Sequence, residues 1–190
     1  MPRVISGMAR SIQLVCPKGR TTRPSADKTK EGIFNVLQAR LSFAGLHVLD
    51  LFAGSGQLAI EALSRGAARA TLVDRSNEAR QAQIINLQKT HLTELADIYT
   101  TSVAGFLNQA AVRSEKFDLI LMDPPYADLA TFWQKNAAVL SSILSPGGIL
   151  AVEGGKETEL DKVVTDLQLF KHCHYGSAMV VFYMKNIIST

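Results

Sequence analysis

The chain has 190 residues, of which 47% are hydrophobic, and it carries 20 Lys and Arg against 17 Asp and Glu. This length and composition are typical of one compact domain with a substantial core, and they exclude a disordered chain, a collagen-like repeat and a two-domain enzyme. The sequence also lacks an apolar run of the roughly 18 residues that a membrane-spanning helix requires.

The amino terminus and the cysteines indicate the compartment. Residues 1–7 lack the apolar core of a secretory signal. Cys16 and Cys173 stand apart, without CxxC or metal-ligand spacing, which is usual for reduced thiols. We therefore expect a soluble, cytoplasmic protein with no membrane segment and no metal. Separately, we expect the chain to be a monomer.

Basic residues are concentrated near the amino terminus. Residues 1–47 contain eight Lys or Arg and two acidic residues, a balance of +6, whereas residues 48–190 carry a balance of −3. Clustered basic side chains favour polyanions, because binding releases condensed counterions. The segment is therefore either a nucleic-acid contact or a solvated basic surface, and charge alone leaves both interpretations open.

The predicted elements alternate between strands and helices. Residues 3–5 and 11–15 could pair as a small ribbon, and the polar loop 16–24 leads to a helix that begins near Ser25 or Asp27. Strands are predicted at 48–52, 69–74, 98–101, 117–123, 149–152, 167–174 and 179–184. Helices are predicted at 58–64, from Ser76 onward, and at 129–144 with a stop at 145–148.

This alternation predicts one α/β domain over residues 1–190, with the ribbon and basic loop at 1–24 and an α/β core at 25–190. The core is expected to be a Rossmann-like sheet of seven strands with helices on both faces. No helix separates the last two strands, so a closing hairpin would make the last strand antiparallel to the others.

A glycine turn follows the first core strand, where Asp50 precedes Gly54-Ser55-Gly56. Two glycines one residue apart let the backbone turn sharply and approach a ligand, and the next helix aims free N–H groups at it. The segment 54–59 also fits the loose G-x-G-x-x-G/A pattern of dinucleotide sites. A turn that only packs the helix on the strand is the alternative.

Asp74 ends the second core strand, 18 residues after Gly56. A carboxylate at this position can accept both hydroxyls of a ribose. The alternative is an exposed strand-end residue that caps the following helix.

The tetrad Asp123-Pro124-Pro125-Tyr126 follows the most apolar strand. Ligands of open parallel sheets bind beyond the carboxyl ends of the strands, so the tetrad should lie beside the glycine turn. The Asp123 carboxylate and the Pro124 carbonyl are acceptors that could bind an exocyclic amine. The prolines make the loop stiff and would hold these acceptors in place. Tyr126 could stack on a flat base.

These motifs resemble the S-adenosylmethionine-dependent methyltransferases that modify exocyclic amino groups. Along essentially the whole chain the sequence is further similar to the bacterial 16S rRNA guanine-N2 methyltransferases of the RsmD type. The segments that carry this resemblance are 23–35 (RPSADKTKEGIFN), 49–56 (LDLFAGSG) and 61–67 (EALSRGA).

The resemblance implies methyl transfer from S-adenosylmethionine to the 2-amino group of a guanine in small-subunit rRNA, or in a ribosome-assembly intermediate. The residues assigned to the cofactor are Asp50, Phe52, Gly54, Gly56, Asp74 and Ser102. The residues assigned to catalysis are Asp123, Pro124 and Tyr126. The residues assigned to the RNA are Arg10, Arg20, Arg23, Lys28 and Pro125.

Two positions depart from the family pattern. Ser11-Ile12-Gln13 follow Arg10, where the family commonly has further basic residues, and Thr101-Ser102 stand where many relatives have an Asp for the adenine amine. The role of Lys156 stays open. Rival functions are methylation of DNA adenine or protein glutamine, nicotinamide oxidoreduction, and RNA binding without catalysis.

Overall fold

The computed structural model describes residues 2–17 and 25–187, with side chains from Asp27 onward in the second range. Five α-helices and eight strands lie in these ranges. The helices are α1 (Ser25–Gln38), α2 (Gln57–Ser64), α3 (Asn77–Thr90), α4 (Val103–Val112) and α5 (Leu129–Ile143). The strands are β1 (His47–Leu51), β2 (Arg69–Asp74), β3 (Ala96–Thr100), β4 (Phe117–Met122), β5 (Leu144–Gly155), β6 (Val163–Val164), β7 (Leu167–Tyr175) and β8 (Ala178–Lys185).

The strands form one sheet in the order β3-β2-β1-β4-β5-β8-β7-β6. Strands β1 to β5 pair in parallel, and β8 runs antiparallel to both β5 and β7. The predicted α/β class and the antiparallel last strand are therefore confirmed. The prediction of seven strands omitted β6, a two-residue strand that pairs with the start of β7.

Helices cover both faces of the sheet and enclose two apolar clusters. One contains residues of α1, α2, α3 and the amino-terminal ribbon, and the other contains residues of α4 and α5. Leu119 and Ile120 are neighbours in β4 but belong to opposite clusters, because side chains alternate along a strand. Burial on both faces explains why the central strands read as continuous apolar runs. None of the described helices has both the length and the apolar character needed to cross a bilayer.

The ribbon forms as predicted and is fixed to α2. Arg3 and Gln13 make an antiparallel bridge. The carboxylate of Glu61, which is fully buried in α2, accepts hydrogen bonds from the backbone N–H groups of Ile5 at 2.7 Å and Ser6 at 3.0 Å. The buried Lys30 of α1 donates to the Arg3 carbonyl at 2.6 Å. The ribbon is thus tied to the core through buried charged groups.

Two local predictions were wrong or incomplete. The stop signal at 145–148 lies inside β5, which begins at Leu144 and pairs irregularly with β4 between Phe117 and Leu119. Helix α4 was not predicted, although Ser102 caps it and its buried residues Val103, Phe106, Leu107 and Ala110 have helical spacing.

Candidate active site

The predicted site residues meet at one edge of the sheet. In the register of the parallel strands, Leu51 of β1 lies opposite Val73 of β2 and Met122 of β4. The glycine turn, Asp74 and the tetrad at 123–126 follow these positions directly, and the Asp123 N–H donates to the Leu51 carbonyl at 3.4 Å. The strand order reverses direction between β1 and β4, which is where open α/β sheets bind their ligands.

The backbone of the glycine turn has unusual geometry. Gly54 and Gly56 have φ angles of 53° and 76°, and a Cβ on Gly56 would lie 2.7 Å from Cδ2 of Leu72. Phe52 also has a positive φ, 61°, which is rare for a bulky residue. Such strained conformations persist where the surroundings impose them and often occur at functional sites.

Two buried amides of α3 hold the glycine turn from behind. Gln83 donates from Nε2 to the Gly54 carbonyl at 3.0 Å. Asn86 donates from Nδ2 to the carbonyls of Ser55 and Val15, both at 2.9 Å, and accepts from the Val15 N–H at 2.8 Å. Asn86 therefore connects the turn to the ribbon. Sequence reasoning missed both residues, since a polar residue inside a helix carries no local signal for such contacts.

Asp50 is almost completely buried beneath the turn, and its Oδ2 accepts from the Ala59 N–H of α2 at 3.0 Å. Burial raises its pKa to about 8, the Ala59 hydrogen bond opposes this rise, and the carboxylates of Asp123 and Asp74 add to it. The three carboxylates thus lie close enough to interact. A cationic ligand at this edge of the sheet would be attracted by the carboxylates and would in turn favour the ionised form of Asp50.

Asp74 braces the turn with both of its oxygens. Oδ2 accepts from the Gly54 N–H at 2.9 Å, and Oδ1 accepts from the Ser76 N–H at 3.0 Å. The side chain that caps α3 belongs to Ser76, which accepts from the Ala79 N–H, so Asp74 is not the helix cap. Each carboxylate oxygen has a further lone pair, and Asp74 is therefore chemically able to accept ribose hydroxyls.

The tetrad is positioned by β5. Asp123 is half-buried, Pro124 is buried and Pro125 is exposed. The Tyr126 hydroxyl donates to Oε1 of Glu153 at 3.0 Å, and its ring covers Gly155, where a Cβ would lie 3.2 Å from the ring. Sequence reasoning did not assign Glu153 and Gly155 to the site, because their roles depend on the pairing of β4 with β5.

Phe52 and Ser102 lie on two other elements near this edge. The Phe52 ring is half-buried and meets the Phe132 ring edge-to-face at 5.2 Å. Ser102 is exposed and caps α4 by accepting from the Gly105 N–H at 3.2 Å. Ser102 therefore has a structural task of its own, and its assignment to the cofactor stays a prediction.

The basic residues assigned to the RNA are only partly described. Lys28 is exposed near the start of α1, and Arg20 and Arg23 lie outside the described residues. Arg10 lines a pocket of about 270 Å³ together with Arg3, Ser11 and two acids, Asp27 and Glu31. The acids offset part of the basic charge there.

A larger cavity, of about 660 Å³, lies between the ends of α1 and α2, with Arg40 and Arg65 in its wall. Because α2 ends at the amino-terminal edge of the sheet, this cavity is remote from the glycine turn. Lys156 follows β5, is exposed, and donates its backbone N–H to the Ser177 carbonyl at 3.0 Å.

The acceptor groups at the glycine turn fit an organic cation such as S-adenosylmethionine. Besides the three interacting carboxylates, Oε1 of Gln57 is buried there and has no hydrogen-bond partner among the described residues. Across the described ranges, no group of three or more His, Cys, Asp or Glu side chains is arranged to hold a metal ion.

Comparison with known proteins identifies the family. The family model described as "Conserved hypothetical protein 95" matches residues 2–184. The Bacillus subtilis protein YlbH, provisionally named an rRNA methyltransferase, is 40% identical over 96% of this chain and 98% of its own. Ribosomal RNA small subunit methyltransferase D of Haemophilus influenzae is 30% identical over 83% of this chain and 81% of its own.

Solved structures share the fold. The structure of yhhF from Escherichia coli, described provisionally as a methyltransferase, has a TM-score of 0.83 at 28% identity and covers 97% of this chain and 98% of its own. The SMU.776 structure, a complex with SAH, has a TM-score of 0.66 at 17% identity over 86% of this chain and 50% of its own. That likeness concerns the fold alone.

The fold and the site define a methyltransferase of the S-adenosylmethionine-dependent class, as the sequence predicted. The chain belongs to the RsmD-type family of these enzymes.

Proposed function

We propose that this protein transfers the methyl group of S-adenosylmethionine to the exocyclic N2 amine of a guanine in small-subunit (16S) rRNA. The observation that carries the proposal is the position of Asp123-Pro124-Pro125-Tyr126 at the carboxyl end of β4, beside the glycine turn and the Asp50 and Asp74 carboxylates. The names of the relatives support rRNA as the substrate. In this proposal the chain acts as a cytoplasmic monomer and as one catalytic domain.

The cofactor residues act by orientation and charge. When bound, S-adenosylmethionine would supply an electrophilic methyl group that needs no activation by the protein: the N–CH3 bond forms as the S–CH3 bond breaks, S-adenosylhomocysteine leaves, and the methylated nitrogen loses one proton to water. The backbone of Gly54 and Gly56 would line its binding site, Asp74 would accept hydrogen bonds from the ribose, and Asp50, ionised as the cation binds, would stabilise the positive charge. Phe52 and Ser102 flank the seat. Holding two reacting atoms in line can lower the barrier by several kcal/mol.

The target amine is held by the tetrad. A guanine amine delocalises its lone pair into the ring and is a poor nucleophile. Acceptance of its N–H groups by the Asp123 carboxylate and the Pro124 carbonyl favours a tetrahedral nitrogen and stabilises the charge that develops there. Tyr126, anchored by Glu153, offers a ring for stacking on the base.

The base must leave its stack to reach this edge, at a cost of a few kcal/mol. We assign the surrounding phosphates to the basic segment, through Arg10, Arg20, Arg23 and Lys28, with the exposed Pro125 at the mouth of the site. Clustered cations would offset the cost through counterion release.

The test is transfer of labelled methyl from S-adenosylmethionine to small-subunit rRNA, free and in assembly intermediates, with the product mapped by mass spectrometry. Asp123→Asn keeps an acceptor oxygen but loses the negative charge, so it should lower turnover by roughly 100-fold or more while the protein still binds the cofactor. Asp128→Asn is the control, because Asp128 is exposed, lies two residues after the tetrad and makes no side-chain cap contact with α5.

Each other result contradicts a defined part of the proposal. Equal turnover by wild type and Asp123→Asn would remove the role of Asp123. Label in DNA adenine or in protein glutamine would point to the rival methyltransferases. RNA binding without transfer would point to a non-catalytic module.

A further inference from the structure

One buried polar atom at the glycine turn has no partner in the protein. Gln57 is the first residue of α2 and follows Gly56, which provides no side-chain cap. Its Oε1 is buried and accepts no hydrogen bond within the described part of the chain. Buried acceptors are rarely left unpaired in native proteins, so this oxygen indicates a donor that the protein itself does not supply.

The other unpaired buried atoms have different surroundings. Gln83 uses its amide nitrogen to hold the Gly54 carbonyl from behind the turn, and Asp27 lies 3.7 Å from the Lys30 ammonium. Trp133 lies in the core and stacks on Tyr183 at 4.9 Å. Gln57 differs from them because it stands at the amino end of α2, at the ligand edge of the sheet.

The chemistry of this corner fits a zwitterion. The first N–H groups of a helix have no intrahelical partners and favour an anion such as a carboxylate. The amide oxygen of Gln57 at this end of α2 requires a donor, and Asp50, which accepts from the Ala59 N–H of the same helix, favours a cationic donor once its carboxyl group is ionised. An α-amino acid carries a carboxylate and an ammonium group on one carbon, and the methionine part of S-adenosylmethionine is such an amino acid.

We propose that Gln57 is a positioning residue whose side-chain oxygen accepts a hydrogen bond from the α-ammonium group in the methionine part of S-adenosylmethionine. This inference rests on the proposed function, because it assumes that S-adenosylmethionine is the cofactor. Gln57 positions the amino-acid end of the cofactor, which is the end remote from the adenosine. It therefore favours ligands that carry the amino-acid part over those that lack it.

The experiment compares two ligands by isothermal titration calorimetry. S-adenosylmethionine carries the amino-acid part, and 5′-methylthioadenosine lacks it. Gln57→Leu should weaken binding of S-adenosylmethionine about tenfold, as expected for a lost hydrogen bond to a charged group, and binding of 5′-methylthioadenosine less than about twofold. Gln57→Glu keeps an acceptor and should bind S-adenosylmethionine at least as tightly as wild type.

The control variant is Gln109→Leu, which makes the same change on the exposed face of α4 and should alter neither affinity. Each variant is compared by the ratio of its two affinities, which cancels a loss of folded protein. Gln57→Met serves as a second apolar variant if Gln57→Leu is insoluble.

The inference is wrong if Gln57→Leu changes both affinities equally or changes neither. It is also overturned if Gln57→Glu loses affinity as Gln57→Leu does, because the contact would then need the amide nitrogen as a donor. Wild-type protein that binds neither ligand would instead contradict the proposed function, and the inference with it.

Discussion

Asp50 makes the stability of this protein depend on pH in a direction that can be worked out from its burial. Its pKa is raised from 3.8 to about 8, first by burial and further by Asp123 and Asp74, against the hydrogen bond from Ala59. A raised native pKa means that the native state binds the proton more tightly than the unfolded chain does. The contribution of Asp50 to stability is therefore fully present below its unfolded pKa of 3.8 and is lost as the pH rises toward 8.

The magnitude follows from the width of this window. Each pH unit between the unfolded and the native pKa lowers the free energy of unfolding by about 1.36 kcal/mol, so the whole window amounts to on the order of 5 kcal/mol. Asp50→Asn has nearly the same shape, keeps an acceptor for the Ala59 N–H and cannot ionise. The variant should match wild type near pH 4 and exceed it by several kcal/mol at pH 8.

Urea unfolding between pH 4 and 9 measures this difference. Trp133, the single tryptophan, is buried against Tyr183 and reports loss of the core by fluorescence. Asp161→Asn, at an exposed position, is the control and should keep the slope of the wild type. If wild type and Asp50→Asn show parallel pH profiles, Asp50 is ionised in the native state and the argument from burial is wrong.

Three further predictions concern the same elements. Binding of S-adenosylmethionine at pH 7 should release close to one proton in wild type and none in Asp50→Asn, because a bound cation favours the ionised form of the Asp50 carboxyl group. Calorimetry in two buffers of different ionisation enthalpy measures the number of protons released. Asn86→Ala should lower the free energy of unfolding by about 2–4 kcal/mol, because it leaves the half-buried N–H and C=O groups of Val15 and the buried carbonyl of Ser55 unpaired. An effect under about 0.5 kcal/mol in urea unfolding would contradict this. Glu61→Gln should speed amide hydrogen exchange at Ile5 and Ser6, because the N–H groups of both residues donate hydrogen bonds to the Glu61 carboxylate. Exchange in β4 should stay unchanged.

Local chemistry explains what the sequence could predict. Strand β2 has the predicted bounds, and Ser76 caps α3 where a helix start was expected, because apolar runs and cap residues act over a few positions. The glycine turn, Asp74 and the tetrad were found for the same reason, and the rule for parallel sheets brings them together.

Non-local contacts explain what the sequence could not predict. Ser145-Pro146-Gly147-Gly148 has the composition of a stop, yet pairing of Leu144 with Phe117 draws it into β5. Asn86 and Val15 are 71 residues apart in the chain, and no pattern in either segment announces their contact. Side chains such as Asn86, which support the glycine turn through contacts distant in sequence, can therefore be identified only from the folded structure.

The buried polar groups of α1, α2 and α3 share one consequence for the ribbon. Lys30, Glu61 and Asn86 each bond to its backbone from a buried position, and Ser64 of α2 accepts from the Ala9 N–H. Releasing the ribbon would remove hydrogen bonds from these buried groups at a cost of roughly 1–3 kcal/mol each, even though Glu61 keeps its ion pair with Arg65 at 2.8 Å. The ribbon is therefore a fixed part of the core rather than a loose arm. If RNA phosphates bind Arg10, as we propose, they are held at a constant distance from the crevice, and geometry can then contribute to the choice of base.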